Sequence, residues 1–281
     1  MFEIRPLSDA LGAEIVGLDL AQPLDDATFG AVHRAHLDHM VLVFRDQRLS
    51  PEQHIAFSRR FGDLSGHVYD QFLLPGHPEI LRVSNKQRDN GAFVGLPNAG
   101  RRWHSDLAYT ETPSLGSLLY ALEIPPHGGD TLFNNMYLAY ETLPDATKTR
   151  LAGRRAEYLL GSARDYYTAA ERPALTAAQL AKVPPVTHPV VRTHPETGRK
   201  ALYVSPAHTV RILDIDEAES AELLEELTEH AVRPEFVYRH RWRLHDLVFW
   251  DNRCCMHIAE PPPTEFPRHM HRTTVIGDRP V

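Results

Sequence analysis

The segment Trp103-His104-Ser105-Asp106 sets an imidazole and a carboxylate two positions apart. In a strand, residues i and i+2 face the same side, so His104 and Asp106 can reach one point in space. Together they are half of a metal site. A third donor, His257, follows the apolar run Leu247-Val248-Phe249-Trp250 and the polar Asp251-Asn252-Arg253. Two histidines and one carboxylate on one face of a metal are the ligand set of non-haem Fe(II) oxygenases. Three protein ligands leave three octahedral positions for a co-substrate, a water displaced by substrate, and O2.

An isolated His-x-Asp pair says little in a chain with 17 histidines. The residues beyond it add more. Arg268 follows His257 on the next expected strand, where a guanidinium can hold a carboxylate through two parallel bonds. In a jelly roll it would sit behind the metal. Gly128-Gly129-Asp130-Thr131 adds a hydroxyl, on Thr131, that could bind the same carboxylate.

The elements that must position these residues read mostly as short strands. Glu14–Leu20, Met40–Phe44, Ser117–Ile124, Asp130–Phe133, Val186–Val191, Lys200–Val204, Glu235–Trp242, Asp246–Trp250 and His269–Ile276 alternate or form short apolar runs. Helices are expected at Asp25–Asp38, after Ser50-Pro51-Glu52-Gln53 up to Phe61-Gly62, at Tyr137–Leu151, around Thr176–Ala181 and at Asp216–Val232. The stretch 63–102 is rich in Gly, Pro and Asn and reads as a long functional loop with an apolar tip, Phe72-Leu73-Leu74. It could be a lid over the site or core packing. Residues 161–185 read as an irregular insertion. The expectation is α+β, mainly β: one domain over 1–281, a jelly-roll (double-stranded β-helix) core with peripheral helices.

Composition is globular, with 42% hydrophobic and 24% charged residues. A net charge of -7 argues against nucleic acid as the main partner but leaves room for a small anion in a local basic pocket. There is no apolar run near the roughly 20 residues a membrane span needs. Met1-Phe2-Glu3-Ile4-Arg5 lacks the pattern of a secretory leader. The two cysteines, Cys254 and Cys255, are adjacent and suggest packing rather than a disulfide framework. A cytoplasmic protein is expected.

Several segments resemble the taurine dioxygenase (TauD/TfdA) family of Fe(II)/2-oxoglutarate-dependent dioxygenases. They are Trp103-His104-Ser105-Asp106, Gly128–Phe133, His188–Gly198, Phe249–Arg253 and His271–Asp278, in the family's order and spanning nearly the whole chain. That family also holds 2,4-dichlorophenoxyacetate dioxygenases and alkylsulfatases. The resemblance implies Fe(II) held by His104, Asp106 and His257, with 2-oxoglutarate as co-substrate and O2 as oxidant. It implies that Arg268 and Thr131 hold the distal carboxylate of 2-oxoglutarate. Arg272 would lie near its C1 carboxylate or the substrate anion, and His67 with Tyr69 would meet that anion. No side chain would act as a strong acid or base.

The resemblance further implies oxidative decarboxylation to succinate and CO2, coupled to hydroxylation of a small organic anion. A taurine-like sulfonate would then break down to an aldehyde and sulfite. A sulfate ester, an aryloxy-carboxylate or a natural-product intermediate are alternatives on the same chemistry. Gly100 stands where taurine-cleaving members tend to carry an amide, and Tyr69 lies two residues after His67 rather than three. Both departures, with the apolar 72–74 tip, favour a larger or more apolar anion. A dimer or tetramer is expected. From other classes, a zinc hydrolase would leave Thr131 and Arg268 without a role, and a non-enzymatic anion-binding jelly roll would make no succinate.

Overall fold

The computed structural model describes residues 2–160 and 174–281. In chain order the elements are β1 (Glu3–Pro6), β2 (Ala13–Val16), α1 (Asp26–His39), β3 (Val41–Phe44), α2 (Pro51–Arg59), β4 (Leu73–Leu74), β5 (His77–Ser84), β6 (Ser114–Glu123), β7 (Thr131–Asn135), α3 (Met136–Glu141) and α4 (Asp145–Leu151). They continue with β8 (Arg155–Tyr158), α5 (Ala177–Leu180), β9 (Val186–Pro189), β10 (Val191–Thr193), β11 (Lys200–Leu202), β12 (Thr209–Ile212), α6 (Glu217–Ala231), β13 (Val237–His240), β14 (Leu247–Asp251), β15 (Cys255–Ala259) and β16 (His269–Ile276).

The major sheet runs β1-β2-β3-β14-β6-β16-β5-β4 and is antiparallel except for β2 with β3. A smaller sheet, β13-β7-β15, faces it. The central strands of the major sheet are apolar on both faces because both are covered. In β14, Val248 and Trp250 point into the space between the sheets, while Leu247 and Phe249 point out. In β3, Val41 and Val43 face in, and Leu42 and Phe44 face out. The outward cluster also holds Val32 and Ala35 of α1 and Phe57 of α2. The inward side is closed by the smaller sheet, where the Phe133 ring lies 5.4 Å from that of Trp250. This is the mainly-β jelly-roll architecture expected, with helices at the periphery.

Local signals account for the helix ends. Ser50 accepts from the Gln53 amide while the Gln53 side chain accepts from the Ser50 amide, a reciprocal cap. Asp216 caps α6 by accepting from the Ala218 and Glu219 amides. The single helix expected over Tyr137–Leu151 is instead two, α3 and α4, because Pro144 interrupts it. The stretch 63–102 is not one loop. It contains β4 and β5, and β5 is an eight-residue strand paired with β16. Phe72 is buried in the inner core, so the apolar tip packs at that position. The helix expected around Thr176–Ala181 is α5, capped by Thr176. Residues 161–173 of the expected insertion lie outside the described residues.

Candidate active site

The two sheets bring the sequence-predicted ligands together from different elements. His257 sits in β15 opposite Phe133 of β7. His104 reaches it through a single antiparallel bridge: the His104 amide donates to the His257 carbonyl at 3.0 Å, and the His257 amide to the His104 carbonyl at 2.8 Å. His104 and Asp106 are therefore not on a regular strand. One bridge is followed by a turn in which Leu107 takes φ 56°. Donor atoms of His104, Asp106 and His257 all lie within 4.8 Å of one another, and all three residues are buried. The nearest His104 Nε2 to Asp106 Oδ1 distance is 3.7 Å.

The hydrogen bonds fix where the protons of the site lie. His104 Nδ1 lies 2.8 Å from the Arg102 carbonyl and 3.0 Å from the His257 carbonyl. Two acceptors require Nδ1 to carry the proton, which leaves the Nε2 lone pair for a cation. The Asp106 amide donates to Asn252 Oδ1 at 3.0 Å. Ser117 Oγ donates to Asp106 Oδ2 at 2.7 Å, and Arg272 Nη1 to Oδ1 at 2.7 Å. Asn252 in turn donates to the Ser114 and Ser117 hydroxyls and accepts from the Trp250 indole. Burial alone would raise the Asp106 carboxyl. Arg272, with the Ser117 hydroxyl, holds it well below the usual carboxylate range. Burial pushes the His257 imidazole well below its ordinary value, so it is neutral and able to ligate.

Asn252 thus holds the Asp106 backbone amide and, through Ser117, bears on the carboxylate. Asp251 serves a separate network, bonded to His194 at 3.1 Å and to Arg253 through both oxygens at 2.9 and 2.7 Å. His194, Asp251 and Cys254 also converge. The Asp251 oxygens are engaged, and His194 Nδ1 already accepts two backbone amides at 3.2 Å. In that cluster Asp251 and His194 are already tied into this hydrogen-bond network. Cys254 and Cys255 are buried in the inner core.

Strand alternation carries the remaining residues. From the end of the 260s loop into β16, Arg268, Met270 and Arg272 follow one another at period two; Met270 lies in the inner core, and both arginines line the cavity beside His104 and His257. Thr131, at the start of β7, lines the same cavity. Arg268 is anchored by its own backbone, its amide donating to Asn85 Oδ1 at 2.7 Å. Its guanidinium is buried, has no carboxylate partner among the described residues, and is pushed down to about 10 mainly by that burial. A buried, unpaired cation is costly, and an incoming carboxylate would satisfy it.

A second, connected cavity is lined by His104, Asp106 and Arg272 together with His67, Leu96 and Leu107. The Tyr69 amide donates to His67 Nδ1 at 3.1 Å, which leaves the ring proton on Nε2. Tyr69 is not among the described residues lining this cavity; it stacks on His67 at 5.6 Å and packs into the core. Sequence reasoning missed Tyr109 and His208, which also line it, the His208 ring standing edge-on to Tyr109 at 4.9 Å. Their only signal was residue type in loops. Gly100 closes this wall with φ +75°, and a Cβ there would lie 3.2 Å from His104 Cε1. The site tolerates little else at that position.

The family model for taurine catabolism dioxygenase TauD, TfdA family matches residues 3–274. The chain belongs to this family. It is 38% identical to an alpha-ketoglutarate-dependent 2,4-dichlorophenoxyacetate dioxygenase of Cupriavidus pinatubonensis, over 99% of this chain and 98% of that one. Among solved structures it superposes on a taurine dioxygenase of Burkholderia xenovorans described as putative and alpha-ketoglutarate-dependent, with a TM-score of 0.83 and 37% identity over 100% of this chain and 91% of that one. It also superposes on AAD-2 in complex with Mn(II) and N-oxalylglycine, with a TM-score of 0.84 and 35% identity over 100% and 99%. This TauD/TfdA protein is accordingly a 2-oxoglutarate-dependent non-haem iron dioxygenase that uses Fe(II), 2-oxoglutarate and O2. Two imidazoles and one carboxylate, with no thiolate among the converging donors, fit Fe(II). No helix among the described residues is long and apolar enough to cross a membrane.

Proposed function

We propose that His104, Asp106 and His257 hold the iron, that Arg268 and Thr131 hold the distal carboxylate of 2-oxoglutarate, and that the substrate is a small organic anion with an apolar body, of the aryloxy-carboxylate kind. The observation that carries the co-substrate assignment is the buried Arg268 guanidinium, without a counter-anion among the described residues, in one cavity with Thr131, His104 and His257. Iron, 2-oxoglutarate and O2 supply the oxidative chemistry: one oxygen atom goes to succinate as CO2 leaves, and the other enters a substrate C–H bond.

The chain's part is placement and exclusion of water. Ser117 and Arg272 fix the Asp106 carboxylate, and Asn252 fixes its backbone amide. Arg272 lines both cavities, so its guanidinium can serve Asp106 and an anion arriving from either side. His67 lines the substrate cavity together with Arg272 and would face the substrate anion. Leu96, Ala99, Leu107 and Ala207 give the substrate cavity apolar walls. Taurine carries an ammonium as well as a sulfonate. Among the described lining residues the one carboxylate is Asp106, and both its oxygens are engaged. An uncharged apolar body fits better, whether its anion is carboxylate, sulfonate or sulfate ester.

The test is succinate formation with a panel of aryloxyacetates, alkyl sulfates, longer sulfonates and taurine. Apolar-bodied anions should be turned over at least tenfold more efficiently than taurine, in line with the cost of leaving an ammonium unpaired in a buried site. Equal or better turnover of taurine would sink the substrate assignment. Succinate formation independent of O2 would sink the reaction itself.

A further inference from the structure

The Thr131 hydroxyl does not stand alone. The Trp242 indole Nε1 lies 3.0 Å from Thr131 Oγ1. An indole N–H can only donate, so Thr131 accepts here with one lone pair and keeps its own proton for another acceptor. Among the described residues no such acceptor lies within reach of Thr131 Oγ1. The Arg268 guanidinium sits over the same indole, 6.0 Å from the ring centroid, where the ring face attracts a cation.

Trp242 is itself fixed. His240 meets its ring edge-on, with centroids 4.6 Å apart and planes at 84°. His240 Nε2 lies 3.1 Å from Asp246 Oδ2, and its Nδ1 lies 3.0 Å from the Tyr238 hydroxyl. A consistent assignment has Tyr238 donating to Nδ1 and Nε2–H donating to the carboxylate. Asp246 also accepts from Arg45 and from the Arg243 amide. The indole is therefore held from outside the cavity by a buried chain that contains neither a proposed iron ligand nor a co-substrate contact.

We infer that Trp242 is a positioning residue for the co-substrate: its N–H commits the Thr131 hydroxyl to donate towards the distal carboxylate, and its ring seats Arg268 beside it. This rests on the reading of Arg268 and Thr131 as the carboxylate site. It makes Trp242 a determinant of selectivity for a dicarboxylic 2-oxo acid over one that lacks the distal carboxylate. The sequence reading left Trp242 as the end of a strand.

Calorimetric binding to Mn(II)-loaded protein tests this without turnover, with 2-oxoglutarate compared against 2-oxopentanoate, in which a methyl replaces the distal carboxylate. Trp242→Phe keeps a ring for Arg268 and removes the N–H. It should weaken 2-oxoglutarate about tenfold, as expected for a bond to a charged acceptor, and leave 2-oxopentanoate within about twofold. Thr131→Val should lose as much, Thr131→Ser should keep wild-type binding, and the double variant Trp242→Phe/Thr131→Val should be no weaker than Thr131→Val alone. Wild-type 2-oxoglutarate binding in Trp242→Phe overturns the inference. So does equal weakening of both acids, the mark of a packing defect, or losses that multiply in the double variant. Arg268→Gln separates the two levels. If it weakens 2-oxoglutarate while Trp242→Phe does not, only the role of Trp242 falls; if it too leaves binding intact, the carboxylate site falls with it.

Discussion

At the scale of single residues, the geometry divides the work between donors that would touch iron and donors that aim them. The sequence made the three ligand candidates and Arg268 legible because their chemistry shows in residue type and order. It could not show what holds Asp106, because Ser117, Asn252 and Arg272 are brought to that residue by pairing among β6, β14 and β16. Ser117→Ala removes one fixed bond from the carboxylate and leaves the ligand in place. Such a change next to a metal ligand typically costs about 10–100-fold in metal affinity. Chelator competition for Fe(II) or Mn(II) should show that loss, and an unchanged affinity would mean that Asn252 and Arg272 suffice. Arg268→Ala should raise the apparent KM for 2-oxoglutarate well before it affects kcat, which steady-state kinetics at saturating substrate will show.

At the scale of elements, β14 and β16 carry most of the design. Each puts one set of alternate residues into the core and the other against α1 and α2. Alternation and caps were readable: the Ser50 cap, the α6 start and the strand at 269–276 stand where the pattern puts them. Strands β5 and β15 were not. The first is hidden among turn residues, and the second is masked by the continuous polar-then-cysteine run after Trp250. Both are strands because an adjacent strand supplies their hydrogen bonds, β16 for β5 and β7 for β15. The family resemblance paired Tyr69 with His67 at the anion; in the structure the Tyr69 ring stacks on His67 and is buried in the inner core. The α2 cap gives a stability prediction. Ser50→Ala should lower unfolding free energy by about 1 kcal/mol, measured by urea titration.

At the scale of the whole molecule, the outward core holds buried imidazoles that tie stability to pH. His36 stacks on Phe249 with ring centroids 3.8 Å apart, and neither ring nitrogen has a partner among the described residues. Burial pushes His36 and His54 down to about 3 from an ordinary value of 6.5. As pH falls below 6.5 the unfolded chain takes up these protons and the folded chain does not. Stability is therefore full above pH 6.5 and is lost between there and pH 3, by roughly 2 kcal/mol per group at pH 5. Denaturant titrations at pH 7 and pH 5 should show the drop, and His36→Leu should make it shallower. An equal drop in His36→Leu would remove His36 from the account. None of this touches the iron site, so fold stability and activity should separate in their pH profiles.

The central claim is that one cavity holds iron through His104, Asp106 and His257 and 2-oxoglutarate through Arg268. The most direct measurement is the visible charge-transfer absorption that appears when 2-oxoglutarate chelates Fe(II), recorded without O2 in wild type and in Asp106→Ala, His257→Ala and Arg268→Ala. The account predicts the band in wild type, its loss in the two ligand variants, and its recovery at higher 2-oxoglutarate in Arg268→Ala. A band of wild-type intensity and midpoint in Asp106→Ala or His257→Ala would contradict it.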